Sequence, residues 1–263
     1  MTETNNQLTP LHTLNPLNRF SDRVEDYVKY RPSYPAAAID QILENLTLPI
    51  TAADIGAGTG ISSRLLAGRG VKVIAIEPNA AMRNAAENHQ NLSLQDGTAE
   101  NTNLPESSVD LVTCFQAFHW FNPELSLAEF RRILKPQGRL AVVFNNRDRN
   151  DEFTAEYSRI VRGASNNHPA ESKIKSTEPL FETTYFKNFC EYNFIYQQQL
   201  DLNGLFGRAM SVSYLPKEGE GYDKLISDLE NLFQGFKNEE GFVYMSYVTS
   251  VHLGEAEAKT PAA

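Results

Sequence analysis

Short apolar runs alternate with amphipathic stretches through the middle of the chain, the pattern of a parallel sheet with crossover helices. Ala52-Ala53-Asp54-Ile55 predicts a first strand ended by glycines, and residues 61–67 predict a helix closed by Gly68 and Gly70. The β-branched run 71–77 reads as a second, buried strand. Pro78 precedes a helix expected over 79–88, and 92–94 is a short third strand. A fourth strand is expected over 109–115. A helix over 126–134 stops at Lys135-Pro136-Gln137-Gly138, and a fifth strand follows over 140–144.

Beyond that point the periodicity is irregular. Residues 146–188 read as helical, broken at Asn166-Asn167-His168-Pro169. A strand is expected over 190–199, helices over 201–211 and 222–236, and a last strand over 242–253 that can pair antiparallel with 190–199. Upstream, 21–30 predicts a helix: Ser21 is a good cap, Asp22 favours the first turn, and Arg31-Pro32 ends it. The expected layout is a flexible arm (1–18) and one domain (19–253), then a flexible tail (254–263). Within the domain we expect a lid helix (19–35), a cofactor-binding core (50–145) and substrate-cap helices (146–188 and 201–240).

Composition narrows the function classes. With 263 residues, 41% of them hydrophobic and 22% charged, the chain can bury an ample core without staples. Its two cysteines, Cys114 and Cys190, exclude a disulfide framework and suit a reducing cytoplasm. A formal net charge of −9 with no Lys/Arg cluster argues against nucleic acid or an anionic membrane as partner. No apolar run approaches the ~18 residues of a membrane span, and MTETNNQLTPLHTLNPLNRF lacks the basic start and apolar core of a signal peptide. The five histidines are scattered, none at zinc-ligand spacing from a cysteine, so no metal is expected.

The chemistry enters with Asp54-Ile55-Gly56-Ala57-Gly58-Thr59-Gly60, which follows a strand and opens a helix. Glycines there permit a tight turn and close approach of a ligand to the backbone. Glu77 ends the second strand, where a carboxylate can accept hydrogen bonds from ribose hydroxyls. Dinucleotide folds use the order G-x-G-x-x-G/A, whereas Gly58 is followed here by Thr59, Gly60 and Ile61. Asp54 is also a poor neighbour for a pyrophosphate and a good one for an ammonium or hydroxyl group. These features favour a nucleoside carrying an amino-acid moiety over NAD.

DIGAGTG, IEPNAAM, DGTAENTNLPESSVDLV and the heptad FQAFHWF (115–121) together resemble the class I S-adenosylmethionine-dependent methyltransferases. More narrowly they resemble the methyltransferase type 11 small-molecule group, which includes trans-aconitate-type enzymes. The likeness spans roughly residues 19–145 and is weaker through 203–214. It implies a Rossmann-like α/β fold: a seven-stranded, mostly parallel sheet with its last strand antiparallel, helices on both faces, and helical cap insertions. It implies S-adenosyl-L-methionine as cofactor. Gly56, Ala57 and Gly58 would line the methionine part, with Asp54 ordering the loop. Glu77 would take the ribose hydroxyls, and Pro78, Asn79 and Met82 would flank adenine. Many relatives carry Asp where Thr98 stands, so the adenine amine would meet a hydroxyl without charge assistance, beside the Ala99 backbone N–H. Gln116, Ala117, Tyr30 and Arg31 would complete the cofactor site.

Ligands of open α/β sheets bind beyond the carboxyl ends of the strands. The fourth strand then delivers His119 and Trp120, and the fifth delivers Asn145 and Arg147. The helix after Asp201 brings Arg208, and the lid brings Tyr27. These are the candidate acceptor-binding residues. Arg208 can alternatively pair with Asp201, and His119 is either a general base or a pocket wall. Converging arginines would point to an anionic acceptor. The expected reaction is methyl transfer to a small molecule, with a carboxylate or hydroxyl as acceptor. Rival readings are N- or C-methylation of a secondary metabolite, a non-catalytic cofactor-binding scaffold, a nicotinamide dehydrogenase, and a nucleic-acid methyltransferase. The last lacks its Asn/Asp-Pro-Pro-aromatic motif after the fourth strand.

Overall fold

The computed structural model describes residues 28–165, 177–212 and 214–257. Tyr27, the arm, the start of the expected lid helix and the break at 166–169 lie outside the described residues. Seven strands form one sheet in the order β3-β2-β1-β4-β5-β7-β6. They are β1 (Thr51–Ile55), β2 (Lys72–Ile76), β3 (Leu92–Gln95), β4 (Val109–Phe115), β5 (Leu134–Arg147), β6 (Phe186–Leu200) and β7 (Val243–Ala256). The first five are mutually parallel, and β7 runs antiparallel between β5 and β6. This is the Rossmann-like architecture expected from the sequence.

The helices are α1 (Ala36–Leu43), α2 (Ile61–Ala67), α3 (Ala80–Asn84), α4 (Pro123–Ile133), α5 (Glu152–Ala164), α6 (Glu178–Glu182), α7 (Leu202–Met210) and α8 (Glu220–Phe236). One face of the sheet is sealed by α1 and α2, through Ile39, Ile42 and Leu66 packed with Val73, Leu111 and Val143. The other is sealed by α4, through Leu127, Phe130 and Ile133. A third cluster joins α5, α7 and α8 to the start of β7. Among the described residues no helix is long and apolar enough to cross a membrane.

Several boundaries differ from expectation for physical reasons. The helix expected over 79–88 ends at Asn84, since Met82 is its one buried side chain and so short a helix has little else to hold it. Lys135-Pro136-Gln137-Gly138 does end α4, but as a bulge inside β5: pairing shifts register between Val109 and Leu111, with Gln137 at φ 62°. The tail expected to be loose from 254 is ordered to 257. Ala256 pairs with Phe186, and the Glu257 carbonyl accepts from Arg131 Nε at 2.7 Å. The upstream helix ends at Tyr30, where Arg31-Pro32 predicts, and α1 is an element that the apolar pattern did not suggest.

Candidate active site

The site begins where β1 ends. Gly56, Gly58 and Gly60 all have positive φ (68°, 58° and 75°), which winds the chain back over β2. The Gly56 and Ala57 N–H groups both donate to the Ile76 carbonyl, at 2.8 and 3.2 Å. A Cβ on Gly56 would stand 2.7 Å from Ala117 Cβ and 3.0 Å from the Phe121 ring, so only glycine lets the loop meet the end of β4.

Two buried acids brace this loop. Asp54 is fully buried and accepts from Ser62 Oγ (2.7 Å), Ser63 Oγ (2.6 Å) and Thr113 Oγ1 (2.7 Å), tying β1 to α2 and β4. Burial pushes its carboxyl above the usual value of 3.8, against the pull of those hydroxyls. Glu77 accepts from the Gly58 N–H and the Asn79 N–H, each at 2.9 Å, so it spans the glycine loop and the start of α3. Burial raises it as well, against these two backbone donors. Each Glu77 oxygen retains a lone pair for a further donor. Asn79 caps α3 through its side chain, Pro78 is half-buried, and Met82 points inward. Thr98 turns tightly: its Oγ1 accepts from Asn101 N–H and its N–H donates to the Asn101 carbonyl. Ala99 packs into the core next to Ile76.

Gln116 leaves β4 at φ 54° and donates from Nε2 to the Asn145 carbonyl at 2.7 Å. Ala117 is buried, and Phe118–Trp120 forms one 3₁₀ turn. The half-buried His119 ring lies 5.0 Å from Trp120 and 6.0 Å from Phe144, centroid to centroid. His119 therefore stands among aromatic rings just beyond β4.

The acceptor-side candidates are arranged differently. Asn145 spends its side chain on the fold: Nδ2 donates to the Ser33 carbonyl (2.9 Å) and Oδ1 accepts from Thr249 (2.6 Å). Tyr30 and Arg31, expected beside the cofactor, lie against α7. A Cβ on Gly207 would overlap the Tyr30 ring, and Arg31 Nη2 donates to the Ser211 carbonyl at 3.0 Å. Arg147 sits 5.4 Å from the centre of the Tyr157 ring. Arg208 does not pair with Asp201, which caps α7 by accepting from the Gly204 N–H. It donates instead to the Tyr247 hydroxyl and Ser211 Oγ. Sequence reasoning missed Ser62, Ser63, Thr113, Ser33, Tyr247 and Gln198, whose Nε2 donates to the Tyr30 carbonyl at 2.9 Å. The serines at the start of α2 carried a local signal; the others are joined to their partners only by the fold.

Residues 53–142 match the methyltransferase domain family. A methyltransferase of Mycobacterium tuberculosis, named as uncharacterised, is 35% identical over 184 residues, covering 69% of this chain and 73% of the relative. This chain belongs to the class I S-adenosylmethionine-dependent methyltransferases. The methyltransferase shares its fold with a putative type II methyltransferase from Anaeromyxobacter dehalogenans (TM-score 0.68, 24% identity, 86% of this chain and 98% of that one). It also shares it with phosphoethanolamine N-methyltransferase 2 of Haemonchus contortus, solved with S-adenosyl-L-methionine (TM-score 0.54, 15% identity, 96% of this chain and 61% of that one). The cofactor of the methyltransferase is S-adenosylmethionine, and the glycine cradle with the Glu77 carboxylate beside it fits that group.

Proposed function

We propose that the enzyme methylates a small-molecule acceptor at oxygen, a carboxylate or a hydroxyl, by in-line displacement. The observation that supports its methyl-transfer part is the closure of the Gly56 loop onto Ala117, with Glu77 bridging the same loop to α3; the oxygen acceptor rests on the resemblance of the sequence to trans-aconitate-type enzymes. On this reading the backbone of 56–58 borders the methionine part, Glu77 takes the ribose hydroxyls, and Pro78, Met82, Thr98 and Ala99 surround adenine. Bound S-adenosylmethionine supplies an activated methyl group on its sulfonium. An acceptor oxygen held in line would take the methyl carbon as the carbon–sulfur bond breaks, with S-adenosylhomocysteine as the coproduct. A hydroxyl acceptor also gives up a proton, which on this reading His119 would take as general base; a carboxylate has none to lose. The remaining task is alignment and water exclusion, which can supply roughly 7–11 kcal/mol. The aromatic wall His119–Trp120–Phe144 supports that role. The cysteines Cys114 and Cys190 are both free, which supports a cytoplasmic setting.

The test is transfer of labelled methyl groups from S-adenosylmethionine to fractionated metabolites of the native host, read by mass spectrometry. We expect a product heavier by one methyl on oxygen. A product methylated on nitrogen or carbon contradicts the O-methyl reading.

A further inference from the structure

Arg208 is 7% exposed and makes two hydrogen bonds, Nε to Tyr247 Oη at 3.1 Å and Nη1 to Ser211 Oγ at 3.3 Å. Among the described residues no carboxylate lies within ion-pair distance of it. A guanidinium carries five N–H donors, so three of them meet no acceptor among the described residues. A buried charge without a counter-charge is among the costliest groups a fold can hold. Burial disfavours its charge, the Tyr247 hydroxyl that it holds favours it, and a guanidinium stays protonated throughout the ordinary pH range.

The surroundings add positive charge. Arg31 reaches the carbonyl of the same Ser211 whose hydroxyl Arg208 holds. Arg147 lies over the ring of Tyr157, one of the phenols around Arg208. Arg31 and Arg208 thus meet at Ser211, and Arg147 and Arg208 at Tyr157. The Ser211 hydroxyl donates to the Arg208 carbonyl and the Tyr247 hydroxyl to Gln198 Oε1, so they position the guanidinium, whose planar fork of remaining N–H groups matches a single carboxylate better than a doubly charged phosphate.

We propose that Arg208, with Tyr247 and Ser211, is the binding site for a carboxylate on the methyl acceptor, and that this carboxylate is a handle rather than the methylated group. The proposal rests on the methyl-transfer reading above. Tyr247 lies on β7, two strands from β4, a separation of about 10 Å at normal strand spacing. The methyl group is delivered near the end of β4, so a carboxylate held at Arg208 is too distant to receive it. The acceptor is then an elongated molecule with a carboxylate at one end and a second nucleophile at the other.

The full-length protein, saturated with S-adenosylhomocysteine, is titrated calorimetrically with benzoate, 4-hydroxycinnamate, their amides, and inorganic phosphate. Wild type should bind the carboxylates roughly ten- to a hundredfold more tightly than the amides. Arg208→Met should lose that preference, keep its affinity for S-adenosylhomocysteine and melt no lower than wild type, because an uncompensated charge has gone. Tyr247→Phe, which keeps the ring, should weaken carboxylate binding a few-fold and leave the amides unchanged. The proposal is overturned if neither carboxylate binds wild type, if amides bind as well, if phosphate is preferred, or if both variants bind carboxylates like wild type. Should Arg208→Met fail to fold, the Tyr247→Phe titration decides alone. Failure of wild type to bind S-adenosylhomocysteine would instead strike the methyl-transfer reading, and carboxylate titrations of the free protein separate the two failures.

Discussion

The two ends of the sheet treat buried charge in opposite ways. Around β1, β2 and β4 the charges are acidic and well supplied: Asp54 has three hydroxyl donors and Glu77 two backbone donors. Around β6, β7 and α7 the buried charge is a cation, Arg208, met by two neutral hydroxyls. The first arrangement is a finished scaffold that holds a glycine loop in one shape before any ligand arrives. The second is incomplete as protein alone. A satisfied network rigidifies, whereas an under-satisfied one awaits a ligand group.

The comparison can be broken most sharply at Gly56. Gly56→Ala places a Cβ against Ala117 at a positive φ, so S-adenosylhomocysteine affinity should fall roughly a hundredfold or more, with a stability loss of about 1–3 kcal/mol. Calorimetric titration and thermal melting check both. Next in size, Glu77→Gln removes a charged acceptor, and the same titration should show a loss of roughly ten- to a hundredfold. Asp54→Asn should cost about 1–3 kcal/mol in denaturant unfolding, because an amide cannot accept all three hydroxyls. If Arg208→Met were as destabilising, the contrast between the two ends would fail.

A smaller effect is expected from pH. Burial raises the Glu77 carboxyl in the folded protein, so its ionised form is disfavoured there relative to the unfolded chain. The resulting stability cost is absent below the usual value of 4.5 and complete once pH passes the raised folded value. On the proposed reading ligand binding runs the other way, since the ribose hydroxyls would need the ionised Glu77 carboxylate. Affinity for S-adenosylhomocysteine should therefore weaken on acidification while pH is still above 4.5, and Glu77→Gln should flatten that limb. Smallest of all, Gly207→Ala should displace Tyr30 from α7, raising the acceptor KM a few-fold without altering cofactor affinity.

How much was legible in the sequence follows the same divide. The strand, glycine loop, helix and terminal Glu77 fall within one short stretch, so local pattern suffices; α2 was predicted residue for residue. The long strands were legible only in part: β6 and β7 were expected over 190–199 and 242–253, and β5, which runs from 134 to 147, only over 140–144. The acceptor end is built from residues far apart in the chain. Arg31 meets Ser211 across 180 positions, Gln198 meets Tyr30 across 168, and Asn145 meets Ser33 across 112. Nothing near Arg208 in sequence names Tyr247, and the nearby Asp201 suggested the wrong partner. The α1 helix was hidden because Ile39 and Ile42 are its only large buried side chains.

Trp120, the single tryptophan, stands in the 3₁₀ turn just beyond β4, where we propose that the methyl group is delivered. Titration of the full-length protein with S-adenosylhomocysteine, followed by Trp120 fluorescence, tests the central claim most directly. The account predicts a saturable one-site change with a Kd of about micromolar order. Binding that leaves Trp120 emission unaltered, or no binding at all, would contradict a cofactor site formed by the Gly56 loop and the end of β4.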